Sequence, residues 1–144
     1  MIQDRDTISQ NTGKTALTTT TAIRLLLNQA ATVKEALELL SQYDLHASMN
    51  YMVHFAIADA DGNSVAVKYI DNEIVVTKTP ILTNFYLAER EKQGIGTSQS
   101  HERFDILSET LTGKPSMTQE AAEKEAGKAA LIRIGSFPLL QEGI

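Results

Sequence analysis

Cysteine is absent from all 144 residues. That excludes disulfides, thiolate metal sites and every cysteine nucleophile. No apolar run approaches the roughly 18 residues needed to span a bilayer. The first residues also lack the charged-then-apolar shape of a signal peptide, so a cytoplasmic protein without a membrane partner is expected. Basic residues are the minority, 13 Lys and Arg against 18 Asp and Glu. With a formal charge of −5 and no basic patch to displace counterions from phosphates, nucleic acid is not an expected partner. His46, His54 and His101 show no metal-ligand spacing, and neither a metal nor a cofactor is expected.

Two short motifs fail on their spacing. Gly13-Lys14-Thr15 would end a phosphate-binding loop only with a glycine five residues before Gly13, where Ile8 stands. Asp59, Asp61 and Asn63 open like a calcium loop, but its sixth and twelfth positions are Ser64 and Ile70 instead of Gly and Glu. That segment reads as a hairpin turn.

What is present is organised around Tyr51 to Asn84, which reads as three antiparallel strands joined by two tight turns. In the middle run Val65, Val67 and Tyr69 face one way, and Ser64, Ala66, Lys68 and Ile70 the other. Asp59 to Asn63 and Asp71-Asn72-Glu73 supply the turns through residues that tolerate positive φ or bond their own backbone. Ahead of this meander, residues 1–17 read as a polar lead-in loop. Thr18 to Thr21 can cap a helix whose stripe is Ile23, Leu26, Leu27 and Ala30. Thr32 with Glu35 makes a capping box for a second helix with Val33, Ala36, Leu37 and Leu40 as its stripe. Tyr43 to Asn50 then connect helix to sheet. After Asn84 a charged loop, Glu89 to Thr97, leads to a helix over Ser98 to Leu111 with Ser100 as its cap. A further helix is expected from Pro115 to Lys128. The length suits one domain or part of one.

The ordered set His54-Phe55-x-Ile57-x-Asp59-x-x-Gly62-x-Ser64, Val67-Lys68-Tyr69 and Leu82-Thr83-Asn84 resembles the middle of the choloylglycine hydrolase family. Its members are bile salt hydrolases, penicillin V acylases and related N-terminal-nucleophile enzymes that cleave linear amide C–N bonds. A helix followed by Thr32-Val33-x-Glu35-Ala36-Leu37-x-Leu39-Leu40 recurs there in the same order, although a generic helix pair explains that periodicity equally well. Ser100-x-x-Arg103-Phe104 is similar to the family segment that carries a site arginine. The resemblance covers residues 18–117. Residues 118–144 diverge, and the family's closing Thr-x-Trp-Ser signature has no counterpart in a chain without tryptophan.

The resemblance implies an α+β fold, an antiparallel sheet covered by helices as part of an αββα sandwich. It implies a small-molecule N-acyl amide substrate, such as a conjugated bile salt, a phenoxyacyl penicillin or another N-acyl amino compound. By the resemblance Asn84 is the oxyanion donor and Arg103 the arginine beside the nucleophile, while their residue types alone fit equally a strand end and a surface helix. Both are expected on one side of the fold, bordering a cleft lined by Phe55, Tyr86 and Phe104, with Asn84 ending a strand. The family's nucleophilic cysteine has no match. Removing Met1 would expose Ile2, and Arg5 and Asp6 do not fit the family spacing. The chain is therefore expected to be an inactive fragment of such a hydrolase, with a complementing N-terminal segment and a homo-oligomer as partners. The alternative is a non-catalytic remnant or a binding or structural α+β domain.

Overall fold

The computed structural model describes residues 5–50 and 53–113. Tyr51, the helix expected from Pro115 and the divergent tail lie outside the described residues. The chain forms two compact units, Met1–Leu82 with Tyr86–Ile95, and Thr83–Phe85 with Gly96–Ile144.

Among the described residues the first unit holds seven elements, β1 (Thr15–Thr18), α1 (Thr19–Gln29), α2 (Val33–Leu40), β2 (Tyr43–His46), β3 (Phe55–Ala58), β4 (Ser64–Ile70) and β5 (Glu73–Lys78). The meander forms as its alternation requires, with sheet order β3-β4-β5 and antiparallel pairs such as Phe55 with Val67 and Val67 with Val76. Asp71 (φ 49°) and Asn72 (φ 69°) both take the left-handed conformation that a two-residue hairpin link demands. In the first turn the Asp59 carboxylate accepts from the backbone N–H groups of Asp61 and Asn63, so this is a hairpin tip held by an aspartate.

Both helices begin where their caps stand. Thr18 Oγ1 accepts from Thr21 N, and Thr32 and Glu35 complete the reciprocal capping box. The stripe of α2 packs as expected, with Val33, Ala36 and Leu40 buried and Leu37 half-buried. The stripe of α1 does not. Ala22 is fully buried with Leu25 and Leu26 against the core, whereas Ile23 and Leu27 are 46% and 81% exposed. Three consecutive leucines put apolar groups on most of the helix surface, so periodicity could not choose the face. The small Ala22 chose it by permitting close approach.

The lead-in and the connector both contain strands. β1 pairs with β2 in parallel, Thr15 opposite Tyr43 through Thr18 opposite His46, and α1 with α2 forms the crossover that a parallel pair needs. Residues 5–10 bridge first to the end of β4, Asp6 opposite Ile70, and then to β2, Ser9 opposite His46. Thr7 N donates to Tyr69 O, Asp71 N to Arg5 O, Ala47 N to Ile8 O and Gln10 N to Leu45 O. The 5%-exposed Gln10 also accepts from Leu45 N through its side-chain oxygen. These pairings join residues more than 30 positions apart, and no local pattern announces them. The core gathers Leu17, Ala22, Leu40, Leu45, Phe55, Val67 and Tyr69. Burial pushes the Tyr69 phenol up to about 12. The architecture is mixed α+β, with a three-stranded antiparallel sheet and helices.

Asp44 ties the lead-in to β2. It is 3% exposed, and its carboxylate accepts from Thr12 Oγ1 at 2.5 Å, Thr12 N at 2.7 Å and Lys14 N at 3.2 Å. The Thr12 hydroxyl first, then these backbone amides, hold the carboxyl below its usual range against the opposing effect of burial. A depressed folded-state value stabilises the fold above the unfolded value of about 3.9 and is lost as pH falls through the lower folded value. Asp44→Asn is expected to lower the thermal midpoint at pH 7 and to flatten its fall on the acid side, read by circular dichroism between pH 2 and 7.

Candidate active site

The second unit is built on α3 (Ser98–Gly113). Its start is capped one position ahead of the helix, because Thr97 Oγ1 accepts from Ser100 N at 3.2 Å. Ser100, expected as the cap, instead lies inside the first turn and is 1% exposed. Its hydroxyl bonds Thr97 Oγ1 at 2.9 Å. Its carbonyl accepts from the Thr83 hydroxyl at 2.9 Å, which pins the segment carrying Asn84 to the helix.

Phe85 makes the second attachment. It bridges Gly96, its ring lies 4.2 Å from the His101 ring at a 31° tilt, and it meets Phe104 edge-on at 5.1 Å. Between these anchors Phe85 N donates to Thr83 O at 2.8 Å, so Asn84 is the central residue of a γ-turn. Its side chain is exposed and makes no hydrogen bond with the described residues. Asn84 therefore does not end a strand. β5 stops at Lys78, and Pro80, which has no N–H to donate, follows within two residues.

Arg103 is half-buried on α3. Nε donates to Gln99 O and a terminal nitrogen to Ser100 Oγ, both at 3.2 Å, which draws the guanidinium back toward the helix start. Thr83 and Arg103 thus both bond Ser100, one to its carbonyl and the other to its hydroxyl. Asn84, Arg103 and Phe104 belong to this unit. Phe55 and Tyr86 belong to the first. Phe55 is 7% exposed, and its ring packs edge-on against Tyr69 in the core.

Tyr86 belongs to a polar cluster that sequence reasoning missed. Its hydroxyl donates to Asp6 Oδ2. Lys68 Nζ stands 3.8 Å from Asp6 Oδ1 and 3.8 Å from the Tyr86 ring centroid, and Lys92 Nζ 3.8 Å from Asp6 Oδ2. Burial holds the Lys68 ammonium below its usual value, with Asp6 opposing and Lys92 assisting. Burial first, then Lys68, lowers His54. Only the alternation of β4, which turns Lys68 away from the core face, hinted at this cluster. Among the described residues no group of His, Cys, Asp or Glu could hold a metal, and no helix is long and apolar enough to cross a membrane.

A family model described as acyl-coenzyme A:6-aminopenicillanic acid acyl-transferase matches residues 7–130. Nothing among curated proteins or solved structures matches the chain.

Gly96, two residues ahead of α3, bridges Phe85. A Cβ there would overlap Phe85 Cβ and crowd the Phe85 and Asn84 backbone. Gly96→Ala is expected to displace Phe85 from His101 and to destabilise this unit by about 1–3 kcal/mol, the usual effect of overpacking. The ring-current shifts of His101 should collapse toward unstacked values, while resonances of β4 remain unchanged.

Proposed function

The chain belongs to the acyl-coenzyme A:6-aminopenicillanic acid acyl-transferase family, in the choloylglycine hydrolase and penicillin acylase group of N-terminal-nucleophile enzymes, and from that membership we propose that it supplies the oxyanion side of a site for acyl transfer at N-acyl amides. In this reading Asn84 Nδ2 donates to the oxygen that becomes negative when the acyl carbon turns tetrahedral. One such donor is worth about 10²–10³ in rate. Arg103, always charged and held by Gln99 and Ser100, orients an attacking group supplied from outside this chain.

The observation that carries the reading is the shared grip on Ser100 by Thr83 and Arg103. It couples the turn presenting Asn84 to the first turns of the helix presenting the arginine. Ser100 itself is not the attacking group, because it is 1% exposed and its oxygen already bonds Thr97 and Arg103. With no cysteine anywhere in the chain, the thiol that attacks in the cysteine-nucleophile enzymes has no counterpart here, and a complementing nucleophile-bearing segment is part of the proposal. The family description names a thioester donor and a β-lactam amine acceptor. Amide hydrolysis passes through the same kind of oxyanion, so penicillin V and conjugated bile salts fall within the proposed substrate class. A second reading, a remnant that performs no chemistry, is consistent with the missing thiol.

The purified chain, incubated with penicillin V or glycocholate under reducing conditions, is expected to release no amine above buffer. Turnover clearly above buffer and lost on mutating any residue of the chain would overturn the incomplete site. In a parallel nuclear magnetic resonance titration, penicillin V is expected to shift the Asn84 side-chain amide and Arg103 Nε–H. Shifts confined to other residues would favour the remnant.

A further inference from the structure

The turn that presents Asn84 is fixed by its neighbours, because the Asn84 side chain is exposed and makes no hydrogen bond with the described residues. On one side the Thr83 hydroxyl donates to Ser100 O at 2.9 Å. On the other, Phe85 bridges Gly96, and its ring meets two rings one helical turn apart on α3. The His101 ring stands 4.2 Å away, tilted by 31° and so close to stacked. The Phe104 ring meets it edge-on at 5.1 Å.

Among these partners His101 is the one that can change charge. A threonine hydroxyl, a backbone bridge and a phenyl edge are uncharged throughout the neutral range. Imidazole is the side chain that ordinarily takes up a proton between pH 8 and 5. A cation within about 6 Å of a phenyl centroid is drawn to the negative face of the ring, an attraction that a neutral imidazole lacks. On α3 the charged groups beside His101 are Glu102 and Asp105, which attract an imidazolium, and Arg103, which repels it. The Arg103 guanidinium is itself drawn back to Gln99 and Ser100. Neither Thr83–Phe85 nor Gly96–Thr97 contributes a titratable side chain. The phenyl contact is therefore the link between the charge of the imidazole and the turn.

We propose that His101 is the positioning residue for Asn84, gripping its turn through Phe85 and gripping it more firmly when protonated. The functional consequence rests on the reading of Asn84 as an oxyanion donor. Affinity for a tetrahedral anion then rises as pH falls through the imidazole range, because the donor is held in place before the charge develops. A half-exposed cation–ring contact sets the scale at about two- to fivefold.

Two measurements on the whole chain at pH 5.5 and pH 8 test the proposal. The first, nitrogen-15 relaxation without ligand, reads how firmly the turn is held. The backbone order parameter of Asn84 is expected to be higher at pH 5.5 in the wild type. It should be equal at the two pH values in His101→Phe, which keeps a ring against Phe85 and loses the proton. An Asn84 order parameter that ignores pH in the wild type would overturn the proposal, and this comparison stands even where a variant does not fold. The second measurement is the affinity of a phosphonate monoester, whose single charge does not change over this range. It should bind about two- to fivefold more tightly at pH 5.5, a preference lost in His101→Phe and in Phe85→Leu. A preference that survives in Phe85→Leu would overturn positioning, since the imidazolium would then be attracting the anion directly. An order parameter that follows pH, with no phosphonate binding at either value, would support the positioning by His101 and remove the oxyanion reading of Asn84.

Discussion

The first unit depends on pairing both backbone edges of β4 along its whole length. Buried N–H and C=O groups must find partners, and β4 contains Ala66, Val67, Tyr69 and Ile70, all nearly inaccessible to water. β5 satisfies one edge from Val65 to Ile70. β3 is only four residues long and satisfies the other edge from Ser64 to Val67. The remainder is completed by Arg5 to Thr7, through Thr7 N to Tyr69 O and Asp71 N to Arg5 O. The same segment then bonds β2 through Ile8 and Gln10, which brings the parallel pair β1–β2 under the helices.

This explains why a polar lead-in matters to a fold whose pattern lies elsewhere. Thr7, Gln10, Asn11 and Thr12 contribute little apolar area, yet each makes a bond to β2 or to the β4–β5 link. Asn72 reciprocates, its side chain bonding both N and O of Asn11 while its backbone takes the left-handed conformation of the hairpin. One residue thus serves a local turn and a contact across some 60 positions. Deleting the lead-in would leave the end of β4 unpaired on the edge away from β5 and Asp44 buried without its donors, a cost greater than the apolar area of the segment suggests.

Legibility in the sequence followed the range of the interaction. The capping box of α2 and the two hairpin turns are settled by residues within four positions of one another and the β4 alternation within seven consecutive residues, and all are readable. β1, β2 and the extended lead-in exist only through partners far along the chain, and they read as loop. On α1 the apolar run Leu25-Leu26-Leu27 left the packed face undetermined, and the stripe was misassigned. At the site, the helix read over Ser98 to Leu111 already contained Arg103, which lies on α3. The anchoring of the Asn84 turn by Thr83 and Phe85 depended on contacts with Ser100, Gly96, His101 and Phe104 that no spacing encodes.

The central functional claim is that Asn84 is built to meet negative charge on a tetrahedral acyl centre. It is tested most directly by comparing two ligands on the wild-type chain and on Asn84→Ala. One ligand is an N-acyl amide in its ground state, and the other a phosphonate mimic whose anionic oxygen stands where the oxyanion would be. The account predicts that the substitution weakens the phosphonate by about 10²–10³ and barely alters the amide. Equal losses for the two ligands, or no loss for the phosphonate, would contradict it.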